Sequence, residues 1–278
     1  SFSAQQQLLR RVDKAYKSFF ARIKRGTRAG FPRFKSNRHF DSIEFRVGDG
    51  LTLKKTNVIG LKGLAGVIKV KQHREIPANA KLGHAIISRN GGHWHASFLV
   101  TLPDLHLCPV PMKPVGIDVG LTNLIALSNG TTERAPKWMK NAASGLRRHQ
   151  RQLARRRKGS KRYGRARLNL ARYCRRIANQ RRDFMHKLTT DLVRTYTHFA
   201  VEDLNLLGLA QGVLAKDILN ASWGEFFQML HYKAESAGGA VEAINPCNTS
   251  QTCSACGSIA LKKLSEREHH CPFCGYRT

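Results

Sequence analysis

Two carboxylates, four thiols and one long acid-free run of guanidinium groups carry the chemistry readable in this 278-residue chain. Asp118 lies in GIDVGLTN (116–123) and Glu202 in AVEDLN (200–205), each at the end of a short apolar run. Hydrolysis of a phosphodiester needs an activated water and a stabilised leaving oxygen, and two divalent ions about 4 Å apart supply both. Hard cations such as Mg²⁺ take carboxylate oxygens. Asp118 and Glu202 meet that need if their strands end side by side. Asp203 is a second acid in the later motif, but alternation along a strand turns it to the opposite face. Gly116 and Gly120 flank Asp118 and permit close approach of backbone or phosphate.

The thiols are Cys253, Cys256, Cys271 and Cys274, two CxxC pairs, each followed directly by a glycine (Gly257, Gly275). Four thiolates at this spacing form a closed tetrahedral Zn²⁺ site, structural in kind. His269 and His270 are alternative ligands, and Cys108, Cys174 and Cys247 stand alone. Unpaired cysteines beside CxxC pairs point to a reducing cytosol rather than a disulfide framework.

From Leu146 to Arg182 there are sixteen Lys or Arg residues and no acid. Arg147, Arg148, Arg151, Arg155, Arg156, Arg157, Lys158, Lys161, Arg162 and Arg165 belong to this run. A solvated helix face ordinarily mixes both signs. A single-sign, Arg-rich face suits bidentate contact with phosphates, here a duplex backbone that includes RNA. A second basic segment, GFPRFKSNRHF (30–40), interleaves Arg33, Lys35 and Arg38 with Phe31, Phe34 and Phe40. Its aromatic rings either stack on bases or anchor the loop to the core.

The elements that must position these groups follow from periodicity. Residues 4–24 repeat apolar positions every three or four residues and predict a helix. Residues 41–103 alternate like strands (SIEFRV, LTLKK, VIKVK, HAIISRN, HWHASFLVTL) and predict a small β-barrel domain. On the last of these strands His93 and His95 flank Trp94, read as surface residues rather than metal ligands. Pro103, Pro109, Pro111 and Pro114 mark a linker. A three-stranded meander over 114–135 follows, then helices from 137 to 198 broken at Gly159-Ser160. A strand ending in Glu202, a helix near 221–237 and a strand at AVEAIN complete the pattern. Asp at the end of the first strand and Glu at the end of a later one is the layout of a ribonuclease-H-like α/β fold. GIDVGLTN also fits the first phosphate loop of actin-like ATPases, but that architecture needs two copies of the fold and a second Gly-rich loop.

Composition narrows the partner. Lys and Arg number 48 against 18 acids, a formal net charge of +30, which calls for a polyanion such as nucleic acid. No apolar run approaches the ~20 residues needed to span a membrane. The N-terminal SFSAQQQLLRRV lacks a long apolar segment, and a prokaryotic cytosolic location, at the nucleoid when DNA-bound, is expected.

Several stretches carry a family resemblance: GFPRFK (30–35), GIDVGLTNLIALSNG (116–130), FAVEDLNLLGL (199–209), SWGEFFQMLHYKAESAGG (222–239), TSQTCSACG (249–257) and HHCPFCGYRT (269–278). Over nearly its whole length the chain resembles TnpB, the transposon-encoded RNA-guided DNA endonucleases related to type V CRISPR effectors. The resemblance implies a RuvC-like core in which Asp118 and Glu202 hold catalytic Mg²⁺, and zinc on the four cysteines. It implies a guide RNA and target double-stranded DNA as partners, with the N-terminal β and helical parts reading a short motif beside the target. It divides the chain into a partial helical recognition segment (1–40), a wedge-like β-barrel (41–110), a RuvC-like domain (111–248) and a zinc ribbon (249–278). The family's third acid lies in a DxNAA-like segment after the last cysteine pair, past Thr278. Two alternatives stand beside the nuclease: an RNA-guided DNA binder without cleavage, and a DNA-binding transposition accessory without a guide.

Overall fold

The computed structural model describes the chain except residues 37–39, 56, 104–110, 248, 250, 261–269 and 278, and the side chains of residues 55 and 139. Arg38, Cys108, Pro109 and His269 therefore lie outside the described residues. The chain divides into two compact units: Ser1–His106 with Gly145–Arg175, and Leu107–Ser144 with Arg176–Thr278.

The first unit opens with α1 (Phe2–Lys24), followed by β1 (Ser42–Arg46), β2 (Leu51–Lys55), β3 (Val58–Leu61), β4 (Ile68–Lys69), β5 (Lys81–Asn90) and β6 (His93–Thr101). Pairing gives two three-stranded sheets, β1-β5-β6 and β2-β3-β4, where the sequence reading expects a barrel. An isolated bridge between Val47 and Leu51 adjoins both. Phe45, Leu51, Ile59 and Ala85 form the buried centre of this unit, with Leu53, Ile87, Ala96 and Phe98 packed around them. β3 is the strand the alternation pattern misses. Its four residues, VIGL, sit directly after the turn residue Asn57 (φ +78°) and are too short to show a period.

The second unit contains β7 (Pro114–Val119), β8 (Asn123–Leu127), β9 (Thr132–Arg134), β10 (His198–Glu202) and β11 (Ala240–Ile244). They form one mixed sheet in the order β11-β10-β7-β8-β9. β7, β8 and β9 run antiparallel, whereas β10 is parallel to both β7 and β11. Between β9 and β10 come α2 (Trp138–Ala154) and α3 (Lys161–Thr195), separated at the expected Gly159-Ser160 break. The crossover from β10 to β11 holds α4 (Leu206–Leu209), α5 (Ala215–Ala221) and α6 (Trp223–Ser236). Only α6 was legible in the sequence. Ser222, in left-handed conformation (φ +55°), ends α5 and begins α6.

The core explains this arrangement. Val115 and Ile117 of β7, Ile125 and Leu127 of β8, and Phe199 and Val201 of β10 are buried together with Met185 and Leu192 of α3 and Phe226 and Leu230 of α6. Each such side chain contributes roughly 1.5–3 kcal/mol on burial. Lys233 fastens α6 to α3: its Nζ donates to His186 O (2.6 Å), Thr189 Oγ1 (2.7 Å) and Thr190 Oγ1 (2.7 Å). Among the described residues, no helix is long and apolar enough to cross a membrane.

Candidate metal centres and nucleic-acid interface

The acids are positioned by strand parity. On β7 the buried residues are Val115 and Ile117, so Gly116 and Asp118 occupy the other face. On β10 Phe199 and Val201 are buried, so Ala200 and Glu202 share a face in the same way. Parallel pairing sets Phe199 beside Val115 and Val201 beside Ile117. The next step of that register brings Glu202 beside Asp118, on neighbouring strands about 4.8 Å apart. Both acids thus stand on one face, at the C-terminal ends of two parallel strands. The positions around them are small: Gly116 and Ala200 precede them, and Ala126 is the β8 partner of Asp118. A floor of small residues leaves room for ions and a phosphate backbone.

Electrostatics register the proximity. The Asp118 carboxyl titrates above the usual range, first because neighbouring atoms strip water from it, then because the Glu202 charge repels its own. A divalent cation would relieve that repulsion, and carboxylate oxygens are the donors Mg²⁺ prefers. Thr249 Oγ1 donates to Glu202 Oε1 at 2.5 Å and fixes the carboxylate plane. Sequence reasoning assigned no role to Thr249, although it opens the TSQTCSACG stretch four residues before Cys253. Of the two glycines near Asp118, Gly120 is the one a close approach requires, since a Cβ there would lie 2.8 Å from the Asn123 carbonyl oxygen. At Gly116 the nearest atom, Ser128 Cβ, would be at an ordinary 3.5 Å.

The four cysteines converge. Sγ atoms of Cys253, Cys256, Cys271 and Cys274 all lie within 4.8 Å of one another. Cys253–Cys274 and Cys256–Cys271 are each 3.6 Å apart, too long for a disulfide and close to the ~3.8 Å edge of a Zn–S₄ tetrahedron with 2.3 Å bonds. The donor set therefore fits zinc. Each knuckle closes alike: Gly257 N donates to Cys253 O, and Gly275 N to Cys271 O. Both glycines adopt φ +72°, a conformation that side-chain-bearing residues avoid. Without metal the thiols share protons unequally. The Cys256 thiol is drawn down to about 6, chiefly by Ser258. Cys274 is lowered by the Tyr276 backbone but pushed up overall, to about 12, by the neighbouring thiols. His93 and His95 belong to no cluster of three or more ligands among the described residues.

The predicted basic residues are on the surface. Arg147, Arg148, Arg151, Arg155, Arg156, Arg157, Lys161, Arg162 and Arg165 are all exposed, while Ile177 and Leu192 on α3 are buried. Among the described residues, no ion pair involves a cation from Arg147 to Arg176; the pairs on α3 use Arg181, Arg182, Lys187 and Arg194. Arg33 and Lys35 are likewise exposed. The 30–40 aromatics divide between the two expected roles. Phe31 packs edge-on against Tyr16 (5.6 Å) and Phe19 (5.3 Å), anchoring the segment to α1. Phe34 is 97% exposed and free to stack.

Comparison with known proteins shows what the chain is similar to. Residues 97–212 match the family profile OrfB_IS605, described as "Probable transposase", and residues 223–278 match "Cas12f1-like, TNB domain". A Streptomyces pristinaespiralis protein named "Putative RNA-guided DNA endonuclease" is 34% identical, covering 97% of this chain and 66% of the relative. InsQ of Escherichia coli K12, which bears the same name, is 31% identical over 98% of this chain and 69% of its own length. The chain thus spans about two thirds of these relatives. The protein in a solved Cas12f1–sgRNA–target DNA complex shares the fold, with TM-score 0.50 and 13% identity over 87% of this chain and 62% of that one.

Proposed function

Since the chain belongs to the TnpB family, we propose that it is an RNA-guided DNA endonuclease with a RuvC-like, ribonuclease-H-type core. The observation that carries this reading is the pairing of Asp118 and Glu202 on one face of adjacent parallel strands. Mg²⁺ at these acids supplies water activation and charge stabilisation for phosphodiester hydrolysis. Asp118 and Glu202 orient the ions, and Thr249 holds Glu202 in place. The acid-free surface of α2 and α3 grips the backbone of the guide–target duplex, while base pairing reads the sequence. Residues 1–40 and the two three-stranded sheets between Ser42 and Thr101, in the place of a wedge-like domain, contact the guide and the motif beside the target. The four-cysteine ribbon holds zinc and braces the end of β10 through Thr249. The protein works on DNA in the prokaryotic cytosol.

The test uses the complete natural protein with its guide RNA. Asp118→Ala abolishes cleavage of matched double-stranded DNA and leaves target binding unchanged. Cleavage at the wild-type rate would refute the assignment. A wild-type protein that binds its matched target without cutting it would identify a guided binder, and RNA-free protein after purification would identify a guide-independent accessory.

A further inference from the structure

Trp94, on β6, is no part of the acid pair, the four-cysteine cluster or the basic run of α2 and α3. At 68% exposure it stands in contrast to Trp138 and Trp223, which pack in or against the core. Trp94 is paired across the β5–β6 ladder with Arg89, whose guanidinium lies 5.7 Å from the indole centroid. Asp41 fixes that guanidinium: Arg89 Nε and Nη2 both donate to Asp41 Oδ1, at 3.3 and 3.0 Å. An ion pair this exposed adds little stability. Its effect is to hold a flat cation against one face of an indole whose other face is open to water. The parity of β6 puts Trp94 on the side of Ala96 and Phe98, which pack on the core, but beyond the core's end.

The surroundings are cationic. Within the same compact unit the β5–β6 turn is seated on α3. Arg175 Nη1 donates to Asn90 O at 2.9 Å, and a Cβ on Gly92 would lie 2.8 Å from Leu168 Cδ1. The charges of Arg175 and then Arg172, with partial loss of water, hold His93 below the usual imidazole range. These two cations gather at the β5–β6 turn, beside His93 on the opposite face of β6, and the cation at the indole itself is Arg89. An aromatic face with cations at its edge matches a nucleotide, whose base stacks while its phosphate meets the guanidinium groups.

We infer that Arg89 and Trp94 form a stacking platform for one unpaired base of the guide RNA. RNA is chosen over DNA because this inference rests on the proposed RNA-guided function, in which the guide is the constant occupant. Base–aromatic stacking resists substitution by about 5- to 100-fold in affinity.

The experiment titrates the full chain with single-stranded RNA and DNA probes of identical sequence, about ten nucleotides long, read by anisotropy and indole emission. RNA is expected to quench the emission. Trp94→Phe loses the quench but retains affinity within about threefold, whereas Trp94→Leu, which keeps apolar bulk without a π-face, weakens RNA binding about 5- to 100-fold. Should Trp94→Ala fail to fold, the Phe and Leu variants carry the comparison. Wild-type affinity in Trp94→Leu, or quenching that persists in Trp94→Phe, overturns the platform. An equal loss on the DNA probe overturns the assignment to RNA. A wild-type chain that binds no RNA at all instead overturns the RNA-guided function.

Discussion

Replacing Arg155, Arg156 and Arg157 by Gln changes how binding depends on salt, and the size of the change follows from the structure. All three are exposed in the turn between α2 and α3, and among the described residues no acid pairs with them. Their whole charge is available to phosphates. Each phosphate neutralised on a duplex contributes about 0.9 to the slope of log affinity against log salt. Three lost contacts lower the slope by about 2.7. Between 50 and 200 mM salt, a change of about 0.6 in log concentration, wild-type affinity falls about 40-fold further than that of the triple variant. The assay is anisotropy with a labelled RNA–DNA hybrid at four or more salt concentrations. The folded state is not at risk. The three side chains are exposed and lie outside both helices, and the change removes like-charge repulsion, so the melting temperature does not fall. Parallel salt slopes for the two proteins would refute the view that this turn contacts phosphate.

Chelation at near-neutral pH releases one zinc per chain and unfolds the ribbon, followed by a thiol-reactive dye as four cysteines become accessible. Cys271→Ser yields protein without stoichiometric zinc. Thr249→Val removes the hydroxyl donated to Glu202 Oε1, a loss of about 1 kcal/mol. In the complete protein it slows cleavage about fivefold without altering target affinity, and Thr249→Ser restores the rate. Asp118→Asn raises the melting temperature of metal-free protein at pH 7. Because the folded-state pKa of Asp118 is raised, its stabilising contribution is present below the unfolded pKa and is lost as pH rises through the folded value. The gain from Asn therefore shrinks toward pH 4, and scanning calorimetry over that range checks the trend.

Much of the candidate site was legible because its determinants are local. The alternation in PVGIDV and HFAVE already assigns Asp118 and Glu202 to the faces opposite their apolar neighbours. CxxC followed by Gly marks each thiol knuckle, and the lack of acids from 146 to 182 marks a single-sign basic surface. Short or irregular pieces were harder to read. VIGL at 58–61 spans too few residues to show a period, and α4 and α5 are too short to carry a stripe.

The sequence alone determined which side chains are candidates for the chemistry, which face of its own strand each occupies, and the +30 charge that calls for a polyanion. Only the tertiary structure decided which strands are neighbours. That β10 lies parallel beside β7, that Thr249 reaches Glu202, and that the Trp94 hairpin rests on α3 depend on pairings between residues distant along the chain. Facing is set by a two-residue backbone repeat that any short segment displays. Adjacency is set by burial of the shared core, a property of the assembled unit that no segment expresses by itself.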